Sequence, residues 1–402
     1  GTADSDRGAI TQSGGTFSGE NFVFRAFESI SYAQSSNNAA TLAASLTGGS
    51  SYSFTYKDSD SLSIGTVDSV VGVSTSNSSV TITALGDDSL LTVPDSLGSD
   101  GIRTSGGAVS LTADKMALTT GAVNVAINSG AGNVTLTTNE ATDAISVGTG
   151  AISNAVADTL ELADVELDEI TTTGTTTIGA SGNSGNITLL SGESLSQSTK
   201  NYTFTTGGNI TFASSTSSLA GGTGSPTYTF TAGGDVTLGL VDANTGTINV
   251  TAGSGGTGSI VDIETASGSE TDTDNSYIKA ATISLTAADR IGGSSAITVD
   301  TAGAFTNFVG AIDIDLGTGN LTFSQPNGTG GNIQVREVSG NLNTNKVFFT
   351  QSDGAVGSGR QIALMTHGNE IAGTSAGNLN WVKTNINNTL VDDFTGTDDN
   401  IF

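Results

Sequence analysis

Gly208-Asn209-Ile210-Thr211-Phe212 and Gly234-Asp235-Val236-Thr237-Leu238 repeat one order of residue kinds: small, polar, aliphatic, hydroxyl, apolar. In an extended strand successive side chains point to opposite faces, so Ile210 and Phe212 share one face while Asn209 and Thr211 share the other. The same cassette stands at Gly107-Ala108-Val109-Ser110-Leu111, Gly132-Asn133-Val134-Thr135-Leu136, Gly185-Asn186-Ile187-Thr188-Leu189 and Gly246-Thr247-Ile248-Asn249-Val250. It returns at Ala281-Thr282-Ile283-Ser284-Leu285, Gly319-Asn320-Leu321-Thr322-Phe323 and Gly331-Asn332-Ile333-Gln334-Val335, with a looser copy at Gly377-Asn378-Leu379-Asn380-Trp381.

The spacing of these copies predicts the architecture. Copies lie 25 residues apart from Gly107 to Gly132, 23 from Gly185 to Gly208 and 26 from Gly208 to Gly234. Gly234 to Gly246 and Gly319 to Gly331 are 12 each, half that period, as expected if one turn carries more than one such strand. Propeller blades of ~40 residues and helical repeats of ~33 do not fit, whereas an all-β parallel β-helix, or β-solenoid, of about 24 residues per turn does. Stacked turns bury a ribbon of Val, Ile, Leu and Phe that no single turn buries alone. Roughly 16 or 17 turns at ~4.8 Å spacing predict a rod about 80 Å long.

Composition agrees. Of 402 residues 55 are glycine and only 13% are charged, so the chain is rich in turns and poor in the ion pairs of ordinary globular surfaces. Three prolines exclude collagen, and 35% apolar residues at a mean hydropathy of +0.01 are enough to bury a core. A net charge of −27 repels a phosphate backbone and an anionic membrane, so nucleic acid is not expected as a partner. No run approaches the ~20 apolar residues of a membrane-spanning helix, so no membrane insertion is expected. The absence of cysteine excludes disulfides and thiolate metal sites. The start at Gly1-Thr2-Ala3-Asp4, without a leader or methionine, suggests processing or excision from a longer polypeptide.

Three regions are expected: an irregular β cap over 1–55, where Phe22, Phe24, Phe27, Tyr32, Tyr52 and Phe54 concentrate, β-helix repeats over 56–384, and a C-terminal cap or docking segment over 385–402. The one stretch open to a helical reading is Ala155–Leu167. Apolar alternation at Leu160, Leu162, Val165 and Leu167, with one slip, favours strands with a bulge or corner.

Few residues carry chemistry. His367 is the only histidine, and no nucleophile or carboxylate is assigned to it by sequence. Gly253-Ser254-Gly255-Gly256-Thr257-Gly258 matches a dinucleotide fingerprint in letters but opens no helix, so it reads as a turn. Aspartates recur at i and i+2: Asp58 and Asp60, Asp272 and Asp274, Asp313 and Asp315. In Ile312-Asp313-Ile314-Asp315-Leu316 alternation places both carboxylates on the outer face about 7 Å apart, where they could hold calcium if further oxygens were supplied. No other cofactor is expected. Asn-x-Ser/Thr acceptors include Asn77, Asn201 and Asn327, while those at Asn133, Asn186, Asn209 and Asn320 are by-products of the cassette.

The cassettes Gly-Asn-Ile-Thr-Phe and Gly-Asn-Val-Thr-Leu-Thr, with Ala281-Thr282-Ile283-Ser284-Leu285-Thr286-Ala287-Ala288-Asp289-Arg290-Ile291-Gly292 and the stretch Ser61–Val73, resemble the repeats of filamentous haemagglutinin-type surface proteins over about residues 60 to 382. The resemblance implies a right-handed parallel β-helix, exported to a bacterial cell surface, that serves adhesion or matrix functions without catalysis. It also implies contact with a cell-surface glycan or protein receptor. Two open solenoid ends further imply self-association head to tail into a filament. A carbohydrate-active β-helix, either a polysaccharide lyase or hydrolase or a glycan-binding module, is the alternative. Arg336, Glu337, Lys346, Arg360 and His367 form its mixed-charge neighbourhood, and Trp381, Tyr228 and Tyr277 are its candidate sugar platforms.

Overall fold

The computed structural model describes residues 8–119, 124–149, 154–190, 194–196, 200–220, 224–263, 277–294, 310–317, 319–325, 331–338, 346–350, 362–366 and 380–382. The described chain is all-β, built of long parallel sheets with a single helical turn at Asp164–Asp168, the arrangement of a β-solenoid. It forms two units, residues 1–185 with 200–203, and residues 186–199 with 204–402.

In the first unit the strands Ile30–Tyr32, Ser53–Asp58, Ser79–Ala84, Val109–Thr112, Val134–Thr137 and Thr175–Ala180 pair in chain order. Their inward residues form columns. Phe54, Val80, Val109 and Val134 are register partners, as are Tyr56, Ile82, Leu111, Leu136 and Ile178, and none exceeds 1% exposure. Each such side chain contributes roughly 1.5–3 kcal/mol by burial, and a one-residue slip would expose a whole column. The connections vary far more than the register. Paired residues are 20 apart from Ile10 to Ile30 and 42 apart from Val134 to Thr176.

A second sheet is organised by the strand Asn38–Leu46, which pairs along its length with Ser18–Ala26. On its other edge two shorter strands share it, Leu62–Ile64 at Thr41 and Leu42, and Val73–Thr75 at Ala44 to Leu46. The wall therefore divides into two parallel columns, one running on through Leu90–Val93 and Lys115–Leu118, the other through Ile102–Arg103, Ile127–Gly130 and Ile170–Thr172. The aromatic residues of the first 56 positions meet edge-on or tilted at this end, with Phe17 to Phe22 at 4.7 Å and Phe24 to Tyr32 at 4.6 Å.

The stretch 155–167 differs from expectation. A strand holds only Thr159–Ala163, pairing with Ala144–Thr149, and a helical turn follows. Leu160, Leu162 and Leu167 are buried, but Val165 is 45% exposed instead of pointing inward. The cause is Glu166, whose Oε2 accepts the N–H of Ala163 at 2.9 Å and so closes the turn from its third position.

In the second unit the strands Thr227–Ala232, Thr247–Ala252, Thr282–Ala287, Asn320–Ser324, Val347–Thr350 and Asn380–Val382 pair in chain order. Tyr228, Ile248, Ile283 and Leu321 form one inward column, and Phe230, Val250, Leu285 and Phe323 the next. The cassette strands Ile187–Leu189, Ile210–Phe212, Val236–Leu238 and Ile260–Asp262 make a second sheet. A third runs through Ser218–Ala220, Leu240–Asp242, Ile278–Lys279, Ile312–Asp315 and Ile333–Glu337. Phe204 stacks on Phe230 at 5.3 Å inside.

Candidate functional site

The polar residue of the cassette has a role between turns. Asn186 Oδ1 accepts the N–H of Asn209 at 2.9 Å, Asn209 Oδ1 accepts that of Asp235 at 2.9 Å, and Asp235 Oδ1 accepts that of Ser259 at 2.8 Å. These residues stand 23, 26 and 24 positions apart, and all but Ser259 are exposed. Asn133 Oδ1 accepts the N–H of Thr175 in the same way in the first unit, at 2.9 Å. Such a ladder satisfies backbone donors at the corner, where the sheets have ended. The preceding glycine makes room for it. A Cβ at Gly234 would lie 2.1 Å from Asn209 Oδ1, and one at Gly174 would lie 2.6 Å from Asn133 Oδ1.

The hydroxyl residues form a surface. In the second unit Thr227, Thr247, Thr282 and Asn320 are register partners, then Thr229, Asn249, Ser284 and Thr322, then Thr231, Thr251, Thr286 and Ser324. None of these twelve positions is charged, and all are half-buried except the exposed Asn320. Rows repeat about every 4.8 Å across the strands and about 7 Å along them, so the face is a regular grid of short hydroxyls and amides. The first unit has a like pattern of its own, with Thr55, Thr81, Ser110, Thr135 and Thr177 in one row and Lys57, Thr83, Thr112 and Thr137 in the next, where Lys57 carries the one charge. The outward threonines lose little entropy in forming contacts, since their side chains are short and β-branched.

The other expected site residues fall in different places. Asp313 is buried, 4% exposed, and accepts from Arg336 Nε at 2.8 Å and from Arg336 Nη2 as well, so it does not face outward beside Asp315. Asp315 pairs instead with Lys279 Nζ at 3.3 Å. Each carboxylate thus meets a cation from a neighbouring strand. Glu337 is 2% exposed with both oxygens toward the N–H of Leu316, so the Arg336–Glu337 neighbourhood is interior and not an open cleft. Tyr228 is fully buried, which removes it as a sugar platform, while Tyr277 is half-buried. Asp58 is buried and accepts from Tyr56 Oη at 2.9 Å and from the N–H of Ala39 at 2.8 Å, while exposed Asp60 accepts from Asn38 Nδ2 at 2.7 Å.

Of the acceptor asparagines, Asn77 is exposed in a left-handed turn with φ of 67°, and Asn201 is half-buried in the strand Asn201–Thr206. Residues 253–258 form a turn between Thr247–Ala252 and Ile260–Asp262, with no helix behind it. Asn327, Asp272, Asp274, Arg360, His367 and the segment 385–402 lie outside the described residues, as does the side chain of Trp381.

Sequence reasoning missed the ladder because each bond joins residues a full repeat apart. The signal that finds it is the Gly before Asn or Asp in the copies at 185, 208 and 234, the glycine at 234 standing where the previous turn's Asn209 side chain ends. No protein-family model, curated protein or solved structure matches the chain.

Proposed function

We propose that this chain is a non-enzymatic structural or adhesive β-solenoid, displayed outside a bacterial cell as a rod or self-assembling filament. The finer geometry we assign to it is a right-handed winding of about 24 residues per turn with capped ends, as in filamentous haemagglutinin-type repeat proteins. The observation that carries the proposal is the uncharged grid of the second unit, Thr229, Asn249, Ser284 and Thr322 with the rows on either side. A protein of net charge −27 repels its own copies and acidic surfaces, and that face is the place where approach costs least. Its regular donors and acceptors suit another regular polar surface, a cell-surface glycan or protein receptor or a second copy. Interior placement of Asp313, Arg336 and Glu337 supports a stabilising use of those charges over a catalytic one.

The test is to replace Thr229, Thr251 and Thr286 together by Glu. The expected result is loss of concentration-dependent association in sedimentation velocity, with an unchanged circular dichroism spectrum. Association unchanged in that folded variant removes the face from the account.

A further inference from the structure

A second feature lies in the first unit, at a corner which the grid does not reach. The strands Ser79–Ala84, Val109–Thr112 and Val134–Thr137 pair in register, and an acidic residue follows each: Asp87, Asp114 and Glu140. One carboxylate oxygen from each of the three lies within 4.8 Å of the other two. We propose that Asp87, Asp114 and Glu140 form a calcium site that ties together three successive layers of the solenoid.

Asp114 is the reason to expect an ion and not a merely solvated acidic corner. It is 1% exposed. Its Oδ1 accepts the N–H of Asn139 at 3.0 Å and of Glu140 at 3.3 Å, but its Oδ2 is buried and has no hydrogen-bond donor among the described residues. A buried carboxylate oxygen without a partner costs roughly 1–3 kcal/mol or more, and a cation removes that cost. Asp143, 4% exposed, brings its carboxyl against that of Asp114 and adds a second buried acidic group to the corner. Compensating charge is scarce. Lys115 is spent on Asp88, with Nζ 3.0 Å from Oδ1, and Asp88 belongs with Asp158 to a wholly exposed trio that shares only Asp87 with the site. The corner is also held in place before any ion arrives, because Asn139 Nδ2 donates to the carbonyl of Leu85 at 2.8 Å.

The donor set selects the ion. Carboxylate oxygens alone, without imidazole or thiolate, suit hard cations. Between calcium and magnesium, Ca²⁺ accepts six to eight oxygens in loose geometry, whereas Mg²⁺ demands a near-ideal octahedron that three side chains from three separate layers do not impose. Three carboxylates leave several of the six to eight positions to water, and Asp87 and Glu140 are exposed, so the affinity belongs to the ~10⁻⁴–10⁻³ M class.

The experiment uses the full chain, stripped with a chelator, and titrates CaCl2 by calorimetry, with thermal unfolding followed in CaCl2 and MgCl2 of equal ionic strength. The expected results are binding in the submillimolar to millimolar range and a higher Tm in calcium than in magnesium. The double variant Asp87→Asn, Glu140→Gln alters only exposed side chains, so it should retain the wild-type circular dichroism spectrum while binding calcium at least tenfold more weakly. Equal effects of the two ions, no heat of binding, or undiminished binding by the variant would each overturn the proposal. None of these outcomes bears on whether the hydroxyl grid is a contact face.

Discussion

At the scale of single residues, the Gly–Asn pair is what makes one turn fit the next. Asn209 Oδ1 reaches over Gly234 to the N–H of Asp235, and the missing Cβ at Gly234 is the space it occupies. Gly234→Ala should therefore destabilise the chain, and the loss should depend on Asn209. The nearest atom to the added methyl outside Asn209 is the Gly208 carbonyl oxygen at 3.5 Å, an ordinary contact. Urea unfolding of Gly234→Ala, Asn209→Ala and the double variant should show a coupling of about 1 kcal/mol or more, with the double variant less damaged than the two losses added. Simple additivity would mean that the glycine is needed for some other reason. This relation was half legible in sequence: the alternation of Ile210 and Phe212 against Asn209 and Thr211 gives the two faces, but what Asn209 bonds to is set by a residue 26 positions away.

Among the elements, the strands follow the alternation and the helical turn does not. From Leu160 and Leu162 alone a strand should continue, and it ends because Glu166 is drawn inside to two backbone donors, Ala163 at 2.9 Å and Leu118 at 2.9 Å. The second donor lies 48 residues back, which no local pattern reports. Burial of Glu166, aided by the charge of Glu161, pushes its carboxyl up to about 7 from an ordinary 4.5. The folded chain therefore keeps a proton that the unfolded chain loses at about 4.5, so this contribution to stability is full below pH 4.5 and is lost as pH rises through 7. Asp143, raised to about 7, and Asp58, raised to about 6 chiefly by burial, slope the same way. Denaturant unfolding without divalent ions should show stability falling between pH 5 and pH 8, and Glu166→Gln should flatten that fall by about 2 kcal/mol. An equal slope in the variant would show that Glu166 ionises normally in the folded chain.

For the molecule as a whole, sequence periodicity foretold parallel strands in layers but not where the charge would go. The acidic corner escaped notice because Asp87, Asp114 and Glu140 are 27 and 26 residues apart and look like unrelated turn residues until the strands before them are stacked. The i and i+2 rule favoured Asp313 and Asp315 instead, and could not foresee that Arg336 and Lys279 would arrive from neighbouring strands to neutralise them. What remains over one face of the second unit is a charge-free lattice of Thr, Ser and Asn. The strand Ser18–Ala26, paired along only one edge among the described residues, leaves a further place where another chain could add. The central claim is that such a chain works by contact, as a rod that joins its own kind. Electron microscopy of the purified full chain over a range of concentrations tests it most directly. The account predicts slender rods that lengthen into filaments as concentration rises, and compact particles that stay single at every concentration would contradict it.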